Sequence, residues 1–305
     1  MEWTPGGTSE DIEDRRDSSG GGGGGGGFGG FGGGGGGFGG IHLGIGGTIV
    51  LLVLSYFFHS NLFSIFTGGG GGVPASNVEQ GQPPSAPDTA KDNAEKPEVQ
   101  FVSFVLDDVQ HTWDALLPQQ TGVRYHHAHL VLFRDSINSG CGAARAATGP
   151  FYCPEDEKVY IDLGFYDELK SRFGAPGEFA QAYVLAHEIG HHVQKLLGIQ
   201  RRAQDLEQRD RGSANAVSVQ LELQADCFAG VWGNTTEQRK FVHEADVEQG
   251  LAAAAAVGDD RLQRMATGRV SPESFTHGSS AQRMAAFRRG LDSGQVSACQ
   301  SSGGR

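Results

Sequence analysis

Apolar residues recur at helical spacing in several stretches and alternate with polar ones in very few. Phe104, Val105, Val109, Trp113 and Leu116 follow a helical period and predict a helix over Phe101–Leu117. A longer helix is predicted from Glu178 to Leu197, bounded by Gly174-Ala-Pro-Gly177 before it and Gly198 after it. The stripe Val217, Leu221, Ala225, Phe228 and Trp232 predicts another over Ala214–Trp232, and further helices are expected at Glu237–Val257 and Ser280–Leu291. Strands are scarce: the short apolar run Leu130–Phe133, and Lys158–Leu163, where Val159, Ile161 and Leu163 alternate with Tyr160 and Asp162. Several helices beside a small sheet make the expected class α+β.

One apolar run stands apart. From Ile41 to Phe66 the chain is apolar almost throughout and carries no Asp, Glu, Lys or Arg. A bilayer-spanning helix needs about 20 such residues. A buried core helix is the alternative, but the glycine tracts on both sides offer it nothing to pack against. The segment is therefore expected to be a transmembrane helix.

Composition sharpens this layout. Many of the 49 glycines lie between Gly20 and Gly72, and glycine contributes no side chain to a core while losing the most backbone entropy on folding. The expected organisation is a disordered acidic and Gly-rich region at 1–40, the membrane segment at 41–66, a Gly/Pro-rich linker at 67–98, one catalytic domain at 99–299 and a short tail at 300–305. Arg15 and Arg16 precede the apolar run, and the next basic residue is Lys91. The positive-inside rule then predicts a single-pass protein with a cytoplasmic N-terminus and an extracytoplasmic domain.

A formal charge of −12 with no cluster of Lys and Arg argues against nucleic acid as a partner. Cys141, Cys153, Cys227 and Cys299 form no C-x-x-C pair, which argues against a thiolate zinc site. Two disulfides are expected from an even number of cysteines beyond a membrane segment. Three pairings are open. Cys141–Cys153, near in sequence, with Cys227–Cys299, tying down the tail, is favoured over the others and over four buried thiols.

The chemistry lies in His187-Glu188-Ile189-Gly190-His191. Residues four apart on a helix are offset by about 40°, so both imidazoles can reach one ion, and Glu188 sits about 100° round, beside the metal. The neighbours Val184, Leu185, Ala186, Ile189 and Val193 are apolar. A buried carboxylate between buried imidazoles is costly without a cation. Catalytic zinc usually has three protein ligands, and the next long helix offers Glu222 as the third. Asp226, one turn on, is expected to accept a hydrogen bond from the far nitrogen of a ligand imidazole. Taken alone, both carboxylates would read as solvated surface groups; beside an H-E-x-x-H helix they read as a metal site.

H-E-x-x-H followed by E-x-x-x-D resembles the zincin metallopeptidases of the glutamate-ligand type. The metzincin pattern needs a glycine at 194 and a ligand at 197, where this chain has Gln194 and Leu197. The sequence is similar to the bacterial neutral zinc metallopeptidases in five segments: 147–154, 186–194, 221–232, 258–263 and 274–283. The acidic, Gly-rich start and the membrane segment are shared too. The resemblance implies a zincin-like fold, Zn2+ as cofactor, a peptide or protein substrate, and peptide-bond hydrolysis by metal-activated water with Glu188 as general base. It also implies a residue opposite the metal that stabilises the oxyanion, for which His277 is the candidate, with Arg283 anchoring its loop. Substrate is expected to lie along an edge strand at Lys158–Leu163. A catalytically inactive zincin-like domain acting as an envelope protein-binding module is the alternative. His126, His127, His129 and His192 are read as lying outside the site, and Asp259 and Asp260 as shaping a turn.

Overall fold

Backbone pairing determines which of these segments meet. In a computed structural model, residues 1–17, 89–146, 149–171, 174–175 and 177–300 are described. The elements are β1 (Ile12–Asp14), α1 (Thr89–Thr121), β2 (His129–Phe133), β3 (Ser136–Ser139), β4 (Gly142–Arg145), β5 (Phe151–Cys153), β6 (Lys158–Asp162), α2 (Gly164–Ser171), α3 (Glu178–Leu196), α4 (Ile199–Arg209), α5 (Ala214–Gln238), α6 (Glu244–Ala256), α7 (Asp259–Thr267) and α8 (Ser280–Ser293). The expected α+β class holds: helices dominate, with a four-stranded sheet in the order β1-β2-β6-β5 and a β3–β4 hairpin.

In the sheet β1, β2 and β6 run parallel, and β5 runs antiparallel to β6. Leu130 pairs with Val159 and Leu132 with Ile161, so one buried face of the sheet joins the main core beneath α1 and α3. Val131, Phe133 and Tyr160 point to the other face, where a smaller cluster includes Cys153. Both faces are covered, which explains why Leu130–Phe133 reads as a continuous apolar run.

The helical layer is held by close backbone approach. A Cβ on Gly190 would come within 2.9 Å of the Ala225 carbonyl oxygen, so glycine in the H-E-x-x-H segment lets α3 lie against α5. At Gly290 a Cβ would lie 1.9 Å from the Cys227 carbonyl oxygen, and α8 packs backbone to backbone on α5 in the same way. Asp108, on α1, accepts hydrogen bonds from Trp232 Nε1 at 2.8 Å and from the Arg239 guanidinium, fastening α1 to the end of α5. The disulfides are Cys141–Cys153 and Cys227–Cys299, the favoured pairing.

Four expectations need correction. Residues 1–17 are ordered rather than disordered: β1 forms the sheet edge, and Trp3 packs against Phe101 with ring centroids 5.3 Å apart. The linker expected to run to 98 ends earlier, because Thr89–Glu98 is already helix, tied back by Arg16 and Arg134 to Glu95 at 2.7 and 2.6 Å. The helix expected over 237–257 is two helices, α5 and α6, with a break at 239–243 where Lys240 takes a positive φ of 64°. Finally, Lys158–Asp162 is an inner strand; β5 lies outside it and forms the edge.

The apolar segment 41–66 lies outside the described residues, as do 18–40 and most of the linker. Among the described residues no helix is long and apolar enough to cross a membrane. The β1–β2 ladder places residues 12–14 beside the domain; the expected cytoplasmic N-terminus, single crossing and extracytoplasmic domain rest on segment 41–66, outside the described residues.

Candidate metal centre

The close contact of α3 with α5 brings His187, His191 and Glu222 together, with one ligand atom from each within 4.8 Å of the others. His187 Nε2 lies 3.2 Å from Glu222 Oε2, and His191 Nε2 lies 3.4 Å from Glu222 Oε1. Ligand atoms about 2.0–2.2 Å from a tetrahedral zinc ion are about 3.3–3.5 Å apart, so these spacings suit one ion.

The outer nitrogens strengthen the fit. His187 Nδ1 donates to Asp226 Oδ1 at 2.8 Å, and His191 Nδ1 donates to Gln194 Oε1 at 2.9 Å. With Nδ1 protonated in both rings, the Nε2 lone pairs face the Glu222 carboxylate, and three ligand atoms converge in an arrangement that could hold a cation. Burial opposes a charge on His187, but the carboxylates of Asp226 and Glu222 outweigh it and push its pKa up to about 10. Burial also opposes ionisation of Glu222, yet the two imidazoles hold its carboxyl well below the usual range. Two imidazoles and a carboxylate are a ligand set that zinc accepts.

Asp226 is completely buried and fully engaged. Arg283 Nε donates to its Oδ2 at 2.8 Å, Arg283 Nη2 to its Oδ1 at 2.9 Å, and the Tyr183 hydroxyl donates to Oδ1 as well. Burial alone would raise this carboxyl; the Arg283 guanidinium and His187 bring it down to about 2. Arg283 comes from α8, so three helices support the orientation of one imidazole. Arg283 was expected to anchor the 277 loop through a carboxylate; the carboxylate it meets is Asp226.

Glu188 is 8% exposed, and burial raises its carboxyl above the ordinary range despite the nearby imidazoles. A carboxylate of raised basicity beside the ligand set is suited to taking a proton near neutral pH. His277 lies in the loop before α8. Its Nδ1 bonds Asp259 Oδ1 at 3.0 Å, which leaves Nε2 for a ligand, and it feels the charge of Glu222. Asp259 Oδ2 also accepts from the backbone N–H of Thr276, His277 and Gly278 at 2.7, 2.7 and 3.1 Å. It shapes the turn, as expected, and orients His277, which the sequence reading missed.

His192 faces away from this centre. Its Nε2 donates to the His126 carbonyl at 2.7 Å and its Nδ1 accepts from the Tyr152 hydroxyl at 2.9 Å, while burial lowers its pKa to about 4. His126, Glu157 and His192 also lie close enough to share an ion. However, Lys195 Nζ sits 2.6 Å from Glu157 and both His192 nitrogens are engaged, so this group is a structural tie between α3, β5 and the 126 loop. His127 bridges Asp11 and Asp114, and so holds the N-terminal segment to α1.

The sequence matches the family described as Putative neutral zinc metallopeptidase over residues 1–302. The chain belongs to this family. It is 42% identical over 306 residues to "Uncharacterized protein YpfJ" of Escherichia coli (strain K12), covering 99% of each chain. It is 45% identical over 202 residues to "Uncharacterized protein Rv2575" of Mycobacterium tuberculosis (strain ATCC 25618 / H37Rv), covering 63% of this chain and 66% of that one. No solved structure gives a significant match. The matched residues include β1 as well as the residues of the candidate metal centre. Gln194 had no role assigned from sequence; the signal available was an amide three residues, about one helical turn, after His191.

Proposed function

We propose that the protein is a zinc-dependent peptidase in which His187, His191 and Glu222 hold the ion and Glu188 is the general base. The observation that carries this reading is the meeting of two Nε2 atoms and a carboxylate at ligand spacing, with each Nδ1 already committed elsewhere. Bound zinc supplies Lewis acidity, lowering the pKa of water and polarising a carbonyl. Glu188 accepts a proton from the attacking water as its oxygen bonds to the peptide carbonyl carbon. It then delivers that proton to the leaving amine nitrogen as the C–N bond breaks. His277, held by Asp259, donates a hydrogen bond to the carbonyl oxygen as negative charge develops there. Asp226 and Gln194 keep the ligand imidazoles in the tautomer that presents Nε2.

A zincin-like architecture is part of this proposal, supported by the two ligand helices and an antiparallel edge strand. That strand is β5, tied to α3 by the Tyr152–His192 bond, and an extended peptide would pair along its free side. The disulfides support an oxidising, extracytoplasmic compartment. The apolar length of 41–66 supports membrane attachment, in an arrangement that leaves residues 1–17 with the domain. A purely structural zinc would be closed by four protein ligands; among the described residues the group at this centre contains three.

The test is cleavage of a broad peptide library by the full chain with and without a zinc chelator. Cleavage that stops on chelation and returns with zinc is the expected result. Cleavage indifferent to the chelator rejects the reading.

A further inference from the structure

The two ligand imidazoles are supported by different chemistry. His187 rests on a carboxylate that is itself neutralised by Arg283. His191 rests on an amide. Gln194 is fully buried, and its Oε1 accepts from His191 Nδ1 at 2.9 Å. Its Nε2 donates to the Leu221 carbonyl at 2.7 Å and to Gln224 Oε1 at 3.1 Å, both on α5. Gln224 Nε2 in turn donates to the Cys299 carbonyl at 3.0 Å. Cys299 is joined by its disulfide to Cys227, on the same helix as Glu222.

An amide has a fixed polarity: one end accepts and the other donates. The direction of each bond in this line is therefore set by the one before it. The donors of Gln194 are consumed by Leu221 and Gln224, so its oxygen must face His191, and His191 must present N–H at Nδ1. The lone pair is then left on Nε2, facing Glu222. Turning the Gln194 amide over would set its N–H groups against an N–H of the ring and a carbonyl against a carbonyl. In a buried site, polar groups so orphaned lose their hydrogen bonds with no water to replace them, which disfavours that orientation.

We propose that Gln194 and Gln224 are positioning residues forming a hydrogen-bonded line from His191 to the C-terminal tail, and that the Cys227–Cys299 disulfide, by fixing the far end, belongs to the support of the metal centre. This rests on the zinc-site reading above. The line does two things at once. It fixes the tautomer of His191, and it crosslinks α3 to α5 next to Glu222, the ligand that α5 supplies. Zinc affinity thereby depends on a tail more than seventy residues away in the chain, at a sequence separation of 72 between the bridged cysteines.

The experiment measures zinc affinity of the full chain by competition with a chromophoric chelator, and the His191 tautomer by nitrogen NMR. Removing a hydrogen-bond partner of a ligand histidine typically costs 10–100-fold in metal affinity. Gln194→Ala is expected to lose about that much and to lose the protected Nδ1–H signal of His191. Gln194→Glu keeps the acceptor for His191 but sets an oxygen against the Leu221 carbonyl and Gln224 Oε1, so it is expected to retain the Nδ1–H signal of His191 while still weakening zinc. Gln224→Ala and the Cys227→Ala/Cys299→Ala pair are each expected to weaken zinc by a smaller factor, and combining them adds little, because both cut the same line. The proposal is overturned if a zinc-binding wild type and Gln194→Ala have the same affinity and the same His191 tautomer. It is also overturned if Gln224→Ala and the disulfide variant act independently. A wild-type chain that binds no zinc would instead remove the peptidase reading; the tautomer measurement still decides whether the line orients His191.

Discussion

The N-terminal strand and the metal centre both depend on charged groups, and they use them in opposite ways. Around the metal centre the charges are few and buried: Asp226 is 0% exposed and Arg283 4%. Each is consumed by partners on α3, α5 and α8. Along β1 the charges are many and mostly only part-buried, and several of them share more than one partner. Glu13 meets Arg15 and Lys158, Arg16 meets Asp14 and Glu95, and Arg134 meets Asp92 and Glu95. An exposed pair contributes about 0–1 kcal/mol and the part-buried Arg16–Glu95 pair is less screened, so β1 is held by a spread network plus the packing of Trp3 and Ile12. A buried pair broken on one side leaves an uncompensated charge and costs about 3–5 kcal/mol. The first arrangement fixes the orientation of the His187 imidazole; the second attaches a strand.

The contrast can be broken at its strongest point first. Glu188→Gln is expected to lower kcat by about 10²–10⁴-fold, the contribution typical of general acid–base catalysis, while zinc content and thermal midpoint stay near wild type. Steady-state kinetics beside metal analysis reads both. Arg283→Ala attacks the same region through stability. It strands Asp226 and is expected to destabilise the fold by about 3–5 kcal/mol, measured by denaturant unfolding at saturating zinc.

The grouping of His187, His191 and Glu222 was largely legible because its logic is local. His187, Glu188 and His191 share one helix, and Glu222 and Asp226 fall one turn apart beside the apolar stripe of the next. Helical periodicity alone puts each pair on a common face. The N-terminal strand was illegible for the opposite reason. Ile12-Glu13-Asp14 is too short to show alternation, and its acidic composition is that of a disordered tail. The partners that hold it, Glu95, Lys158 and Asp107, are roughly 80–145 positions away, beyond any window of sequence patterning. Gln194 shows a third case: its position was visible, but its role depends on which way a neutral amide faces, and that is set by α5 and the tail. The edge strand was misplaced because β5, only three residues long and next to a disulfide, has no periodic signal.

Removing residues 1–17 sharpens the comparison from the other side. The full-length protein is expected to lose about 2–4 kcal/mol on that deletion, since Trp3 and Ile12 each bury part of a side chain worth about 1.5–3 kcal/mol when wholly buried. Zinc affinity, measured at a temperature where the truncated chain is folded, should change little. Below this comes the pH dependence. Arg283 and His187 depress Asp226 to about 2, so its contribution to stability is present above its unfolded value of about 3.9 and is lost as pH falls toward 2. Asp226→Asn should flatten that acid limb of the unfolding free energy. The smallest expected effect is Glu13→Ala, under about 1 kcal/mol and reduced further by salt.

The most direct test is one preparation of the full chain and one of Glu188→Gln, each assayed for bound zinc and for peptide hydrolysis. The account predicts one zinc per chain in both, chelator-sensitive cleavage by the wild type, and cleavage all but absent in the variant. A chain that holds no zinc, or a variant that cleaves as fast as the wild type, would contradict it.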